Sequence, residues 1–241
     1  MRDDVIRPVW PEVPGTRALV TTSAVGNLAS HTGDQPQSVH ARRAALQTYC
    51  GVGSIVWLDQ VHGTTVVCAD DVDPDAAPPR ADAAWTSERG IACAVLTADC
   101  VPILVADREA RVVGIAHGGW RGLANGVIEA LLDALPAPRS RLTAWLGPAI
   151  DSAHYEVGAD VADAIAASRV GNAVTAQVLQ PRARSSGKWL ADLPRFAALR
   201  LDALGVRTVV QSGLCTFADA RFYSHRRDKS IGRIASLIWR E

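Results

Sequence analysis

Short apolar runs alternate with polar or glycine-rich turns along the whole chain. Strand-length runs of this kind are densest in the middle of the sequence, at Ile91–Leu96, Val101–Ala106 and Val112–Ala116. Apolar runs bounded by turn residues are typical of strands that are buried on both faces. Further strand candidates are Leu19–Thr22, Ser54–Val61, Thr64–Ala69, Leu142–Leu146 and Thr208–Gln211.

Helical spacing is confined to a few longer segments. Pro36 suits a first helical turn, and Asp192 suits an N-cap. The predicted helices are Pro36–Cys50, Trp120–Leu135, Val157–Ser168, Asp192–Leu204 and a terminal helix, Ile231–Trp239. Strands and helices mix without strict alternation, which predicts an α/β protein with mixed α+β sheet layers. We expect one domain over residues 1–241, because no shift in composition marks a boundary.

The charges balance, with 25 basic and 25 acidic residues. A balanced chain has no global field to attract nucleic acid or an anionic membrane, so we expect neither as a partner. The five cysteines are odd in number and contain no Cys-x-x-Cys pair, which indicates reduced thiols. The N-terminus resembles no targeting signal. We therefore expect a cytoplasmic protein; its oligomeric state stays open.

Three side chains with metal-ligating chemistry stand where apolar runs end: His62, Cys100 and His117. Because the ends of neighbouring strands often meet, these three can converge on one pocket. Two imidazoles and a thiolate suit zinc, and three protein ligands leave a fourth position open, as in catalytic sites. The alternative is that the histidines are core residues and the thiol a small buried hydrophobe.

Further polar residues stand near the trio in the sequence. Arg121 follows two glycines at a predicted strand-to-helix turn, and Arg226 lies in a second basic cluster; both are candidate anion ligands. The alternative for each is a solvated surface charge. Gln60, Asp82 and Asp99 are candidates to orient the metal ligands, although the aspartates could equally cap turns.

The motifs around these residues resemble the laccase-domain family, which includes proteins called multicopper polyphenol oxidoreductase, purine nucleoside phosphorylase and peptidoglycan editing factor. The resemblance spans nearly the whole chain, in order. The matching segments are Gln60-Val61-His62-Gly63, Ala81-Asp82-Ala83, Leu96-Thr97-Ala98-Asp99-Cys100, Ala116-His117-Gly118-Gly119-Trp120-Arg121-Gly122, Trp145-Leu146-Gly147-Pro148-Ala149-Ile150, Tyr155-Glu156-Val157-Gly158, Cys215-Thr216, Ser224-His225-Arg226-Arg227-Asp228 and Gly232-Arg233.

The resemblance implies the family's own α/β fold with a metal, zinc or alternatively copper, at His62, Cys100 and His117. It also implies phosphorolysis of adenosine, inosine, guanosine and methylthioadenosine, with hydrolytic deamination of adenosine as a further activity. A purine nucleoside and phosphate are then the expected partners. The zinc-deaminase signature His-x-Glu with Pro-Cys-x-x-Cys is absent, so any deamination here would use an independent site.

This chain departs from the family pattern at two arginine positions. The family's Thr-Thr-Arg motif stands here as Thr21-Thr22-Ser23, and its Asn-Arg pair on the first helix stands as Arg42-Arg43. One arginine is lost and one gained, so a guanidinium could fill the same space from another element. Arg43 is therefore a further candidate phosphate ligand.

Rival functions stay open at this point. One is copper-dependent oxidation of polyphenols, although the chain has only six histidines and no His-x-His pair for a multinuclear copper centre. Another is a hydrolase that edits cell-wall precursors, with Cys100 as its nucleophile and His117 as its base. A third is a non-enzymatic domain with a closed structural zinc.

Overall fold

Two stacked β-sheets form the centre of the molecule, and helices cover their outer faces. The computed structural model describes residues 4–10, 13–168, 171–182, 187–229 and 232–241. The strands are β1 (Val5–Ile6), β2 (Thr16–Thr21), β3 (Ser54–Val56), β4 (Val66–Cys68), β5 (Ala83–Thr86), β6 (Ile91–Thr97), β7 (Val101–Asp107), β8 (Val113–Gly118), β9 (Leu142–Leu146), β10 (Glu156–Val157), β11 (Leu179–Pro181), β12 (Trp189–Ala191), β13 (Thr208–Gln211) and β14 (Ile234–Arg240).

The α-helices lie mostly in the second half of the chain. They are α1 (Pro36–Cys50), α2 (Trp120–Asn125), α3 (Val127–Ala134), α4 (Ala159–Ala167), α5 (Gly171–Val178), α6 (Leu193–Ala203) and α7 (His225–Asp228). The mixed α/β class predicted from the sequence is confirmed. Within the described residues, no helix is both long and apolar enough to cross a membrane.

The larger sheets have six and five strands, in the orders β13-β9-β7-β8-β5-β4 and β1-β2-β14-β6-β3, and a small sheet has the order β10-β12-β11. Most pairs are antiparallel, while β9 with β13, β4 with β5 and β3 with β6 are parallel. The consecutive strands β6, β7 and β8 lie in different sheets: β6 in the five-stranded sheet, β7 and β8 in the six-stranded one.

Hydrophobic residues form three contiguous clusters that define four layers. Val95 on β6 packs with Leu104 and Ile115 between the two large sheets. The other face of the six-stranded sheet packs against α2, α3, α4 and α6. The other face of the five-stranded sheet packs against α1, which contributes Leu46. Both faces of each large sheet are therefore covered, which explains the apolar runs in the sequence.

The prediction of a terminal helix at Ile231–Trp239 was wrong. Residues 234–240 form β14, which lies between β2 and β6. Ile234 and Ile238 point between the sheets, while Ala235 and Leu237 face the outer helix layer. Because both faces are apolar, the strand lost the alternation that would have distinguished it from a helix. Residue 231 itself lies outside the described residues.

The segment Trp120–Leu135, predicted as one helix, is two. Gly126 separates α2 from α3 and has φ 97° and ψ 37°, in the left-handed region. Its N–H bonds to the carbonyl of Gly122 at 3.0 Å, which ends α2. A glycine tolerates this conformation at little cost, so the chain can change direction here without strain.

Candidate metal centre

The structure brings His62, Cys100 and His117 together at one end of the sheets. His117 lies near the end of β8, Cys100 lies in the turn from β6 to β7, and His62 lies in the loop after β3. One ligand atom from each residue lies within 4.8 Å of the other two. The two imidazole rings meet edge to face, with centroids 4.7 Å apart. The predicted convergence of three distant side chains is therefore present.

Asp82 holds the side chain of His117 and the backbone of His62 in place. It is fully buried just before β5, and its Oδ1 accepts from His117 Nδ1 and from the His62 N–H, both at 2.9 Å. Its Oδ2 accepts from the N–H groups of Val61 at 3.2 Å and Gly63 at 2.6 Å. His62 has φ 60°, an uncommon value for a non-glycine residue. One carboxylate thus fixes a strained loop and the orientation of His117.

Gln60 ties the same loop to the neighbouring sheet. Its amide donates to the Leu96 carbonyl at 2.9 Å and accepts from the Leu96 N–H at 2.7 Å. These two hydrogen bonds have the pattern of a strand-to-strand pairing, and they lie at the end of β6, close to the turn that carries Cys100. Gln60 therefore positions His62 and Cys100 relative to each other.

Asp99 supports the cysteine turn from the other side. Its φ of 92° is in the left-handed region, and its carboxylate accepts from Thr216 Oγ1 and from the Arg226 N–H, both at 2.7 Å. Its carbonyl accepts from the Ile150 N–H at 3.0 Å. Asp99 contacts neither histidine in these bonds, so its role is to hold the backbone that presents Cys100.

Gly119 leaves space for two of the three ligands, His62 and Cys100. A Cβ at this position would lie 2.7 Å from His62 Cδ2 and 3.3 Å from Cys100 Sγ. The first distance is too short for any side chain, so a residue larger than glycine would displace the His62 ring. The glycine of this motif is required by the ligand cluster.

The charges of the cluster favour a thiolate beside an imidazolium. Burial opposes ionisation of Cys100, but the adjacent His117 and His62 outweigh it and lower its pKa to about 6. Burial likewise opposes the charged form of His117, yet Cys100 and Asp82 raise its pKa to about 9. The thiolate is the form in which cysteine binds metals.

The donor set fits a borderline-soft metal ion. Two imidazole nitrogens and one thiolate are zinc-type ligands, and the bond from His117 Nδ1 to Asp82 leaves Nε2 as its ligating atom. Gly119 provides the room, as its missing Cβ shows. His62 is exposed and His117 is buried, so the cluster lies between the interior and solvent.

A cavity of about 250 Å³ opens beside the trio. The described residues that line it are His31, Gln60, His62, Leu96, Thr97, Ala98, Cys100, His117, His225 and Arg233. The Thr97 hydroxyl is buried and has no hydrogen-bond partner among the described residues. Buried hydroxyls without a partner are rare in folded proteins, and here the group belongs to a residue of the cavity wall.

Arg233 lines this cavity, whereas the arginines suggested by the sequence, Arg121, Arg226 and Arg43, are not among its described lining residues. Arg121 is exposed, and its guanidinium stacks over the Trp120 ring at 4.2 Å. Arg226 donates to the Glu156 carbonyl at 2.7 Å, and Arg43 donates to the Leu28 carbonyl at 2.9 Å and lies over Trp57.

Sequence reasoning missed Arg233, His31 and Thr97 as residues of the cavity. Arg233 and Thr97 lie within the segments that resemble the family, and this position could have marked them as candidate site residues. His31 had none, because it lies in a loop far from every motif.

Comparison with known proteins agrees with this architecture. A family model described as multi-copper polyphenol oxidoreductase laccase matches residues 20–241. A Pseudomonas aeruginosa protein named purine nucleoside phosphorylase PA4543 is 44% identical and covers 97% of each chain. The Escherichia coli protein named purine nucleoside phosphorylase YfiH is 37% identical and covers 98% of each chain.

Solved structures show the same fold. The chain resembles the Neisseria meningitidis protein NMB0706 with a TM-score of 0.91 at 37% identity, covering 99% of each chain. It resembles YlmD from Geobacillus stearothermophilus with a TM-score of 0.81 at 29% identity, covering 96% of this chain and 94% of that one.

Proposed function

This chain belongs to the laccase-domain family, and we propose that it is a zinc-dependent purine nucleoside phosphorylase. Adenosine, inosine, guanosine and methylthioadenosine are the proposed nucleosides, and inorganic phosphate is the second substrate. Full-length relatives from several bacteria carry the name purine nucleoside phosphorylase. The five cysteines are free thiols, which supports a reducing compartment such as the cytoplasm as the place of action.

The observation that carries the proposal is the cavity itself. It combines a metal-ligating trio, Arg233 and the imidazoles of His31 and His225 around about 250 Å³. A concave site with a few convergent polar groups is typical of small-molecule binding. The trio, when loaded, supplies a Lewis acid that polarises a bound oxygen or nitrogen of the substrate.

Phosphorolysis needs phosphate at the sugar C1′ and a stabilised departing base. A phosphate oxygen forms a bond to C1′, the C1′–N9 bond breaks, and its electron pair leaves with the purine, which takes up a proton. Arg233 is the guanidinium on the cavity wall that can hold the phosphate, because a planar fork matches two phosphate oxygens. Its backbone is fixed by the bond from its N–H to Asn27 Oδ1 at 2.9 Å.

Two imidazoles and two apolar side chains on the cavity wall suit recognition of the nucleoside. His31 and His225 are exposed imidazoles at the cavity, and an imidazole N–H can donate a hydrogen bond to the leaving base. Leu96 and Ala98 supply apolar contact for a purine ring.

The test is chromatography of products from inosine incubated with and without phosphate. We expect hypoxanthine and ribose 1-phosphate only when phosphate is present. Arg233→Gln should raise the KM for phosphate by about tenfold or more, because one charged hydrogen bond contributes about 1.5–3 kcal/mol. Arg226→Gln is the matched control: the guanidiniums of both arginines donate to a backbone carbonyl, but only Arg233 is among the described residues that line this cavity. Equal phosphate KM values in the two variants would contradict this assignment.

The same preparations separate the rival functions. Phosphate-independent conversion of adenosine to inosine would indicate hydrolytic deamination. Oxidation of a polyphenol that requires added copper would indicate the activity in the family model's description. Turnover of a wall precursor that survives chelation and stops on thiol alkylation would indicate Cys100 as a nucleophile.

A further inference from the structure

A second group of metal-ligating side chains lies outside the cavity described above. Asp151, His154 and Cys215 each offer one ligand atom, and these atoms lie within 4.8 Å of one another. Asp151 follows the end of β9 and Cys215 follows the end of β13, two strands that pair in parallel. A bridge between Ala149 and Cys215 extends that pairing to the cluster. The carboxyl ends of parallel strands are a common place for ligands.

The geometry distinguishes a metal site from a nucleophilic triad. His154 Nδ1 lies 2.7 Å from Asp151 Oδ1 and 3.9 Å from Cys215 Sγ. In a triad the acid and the nucleophile contact opposite ring nitrogens, so that one nitrogen takes the nucleophile's proton while the other N–H stays bonded to the acid. Here the same nitrogen faces both the oxygen and the sulfur. Three donors therefore converge on one volume, which is the arrangement of ligands around an ion.

The three side chains are held in position. The His154 N–H also donates to Asp151 Oδ1 at 3.1 Å, which closes a local turn. The His154 ring stacks on Phe217 with centroids 4.4 Å apart and planes at 23°.

Access to the cluster is open. The side chains of Asp151 and His154 are 45% and 34% exposed. A cavity of about 150 Å³ is lined by Asp151 and Cys215 together with Gln211, Ser212 and other residues. With three protein ligands, a tetrahedral ion keeps one position open, and a small ligand in this cavity can reach it.

We propose that Asp151, His154 and Cys215 form a second site for a divalent transition metal of the zinc class. A mixed carboxylate, imidazole and thiolate set suits zinc or cobalt and disfavours magnesium or calcium. The site is independent of the proposed phosphorolysis. It is nevertheless linked to the first centre through Asp99, which bonds Ile150, next to Asp151, and Thr216, next to Cys215.

The test uses Co²⁺ alone as the probe, in a metal-stripped Cys100→Ala chain, which lacks the thiolate of the first centre. We expect thiolate-to-cobalt charge-transfer absorption in the near ultraviolet, saturating as one site fills. Adding Cys215→Ala should abolish this absorption. Adding Cys50→Ala instead should leave it unchanged, because Cys50 is a free thiol on α1 outside both clusters.

Two further results decide the proposal. If Cys215→Ala fails to fold, His154→Gln replaces it, and loss of most of the cobalt affinity is expected, since a ligand is removed. The proposal is overturned if the Cys100→Ala chain shows no charge-transfer absorption with cobalt. It is equally overturned if the absorption persists at full strength after Cys215 or His154 is replaced.

Discussion

Replacing Asp82 by asparagine removes the charge that organises the metal centre while keeping the size of the side chain. Its carboxylate accepts four hydrogen bonds, two at each oxygen. The single oxygen of an asparagine can accept only one of these two pairs of hydrogen bonds. Its NH₂ group, itself a donor, then faces the two N–H groups of the other pair. If it keeps His62 and His117, it loses the N–H groups of Val61 and Gly63.

The magnitude follows from those losses. Hydrogen bonds to a charged group contribute about 1.5–3 kcal/mol each, so losing two costs about 3–6 kcal/mol. That is a large part of the roughly 5–15 kcal/mol that stabilises a typical domain. Loss of a residue that orients a metal ligand also weakens metal binding by about 10–100-fold. We therefore expect Asp82→Asn to fold, with lower stability and weaker zinc binding.

The assay combines urea unfolding of metal-free protein with zinc competition against a chromophoric chelator. Asp70→Asn is the matched control, because the Asp70 carboxylate accepts from Thr86 and from the N–H and hydroxyl of Ser87, outside the trio. The control should lose stability but keep its zinc affinity. If Asp82→Asn binds zinc as tightly as the wild type, the carboxylate does not orient the ligands and the reasoning is refuted.

Three further changes have definite expected outcomes. Gly119→Ala should weaken zinc binding about tenfold or more in the same competition assay, because the added Cβ displaces His62. Gly53→Ala is the control and should bind zinc normally, because its Cβ would meet no atom nearer than 3.5 Å. In metal-free protein, mass spectrometry after iodoacetamide treatment at neutral pH should find Cys100 alkylated before Cys50. The pKa of Cys100 is lowered from 9.0 to about 6, and that of Cys50 is raised to about 11. The alkylation rate of Cys100 should therefore fall as the pH drops through about 6. A midpoint near pH 9 would show that the neighbouring histidines do not stabilise the thiolate. Thr97→Val should not lower the melting temperature, since the buried hydroxyl has no hydrogen-bond partner among the described residues; a clearly lower melting temperature would show that the hydroxyl stabilises the fold.

The sequence was informative where chemistry and local rules agree. Each ligand of the trio ends an apolar run, so the strand ends could be located and their convergence expected. Pro36 and Gly51 bound α1 as their backbone preferences predict. The Asp192 side chain caps α6 by accepting from the Arg195 N–H at 2.8 Å.

The remaining features depend on long-range packing. β14 has no alternation because both of its faces are covered by layers that the local sequence does not encode. Asp82 could equally have capped a turn; only the fold shows that its carboxylate joins the His62 loop to His117 on β8. Arg233 reaches the cavity because β14 is a central strand, so predicting a helix there removed the residue from the site.

In the proposed function, one metal ion at His62, Cys100 and His117 is required for cleavage of purine nucleosides. The direct test titrates zinc into metal-stripped protein while hypoxanthine release from inosine and phosphate is measured. We expect no activity before zinc is added, recovery that follows occupancy of the trio, and none in Cys100→Ala at any zinc concentration. Full phosphorolysis by the stripped protein, or by Cys100→Ala, would contradict the account.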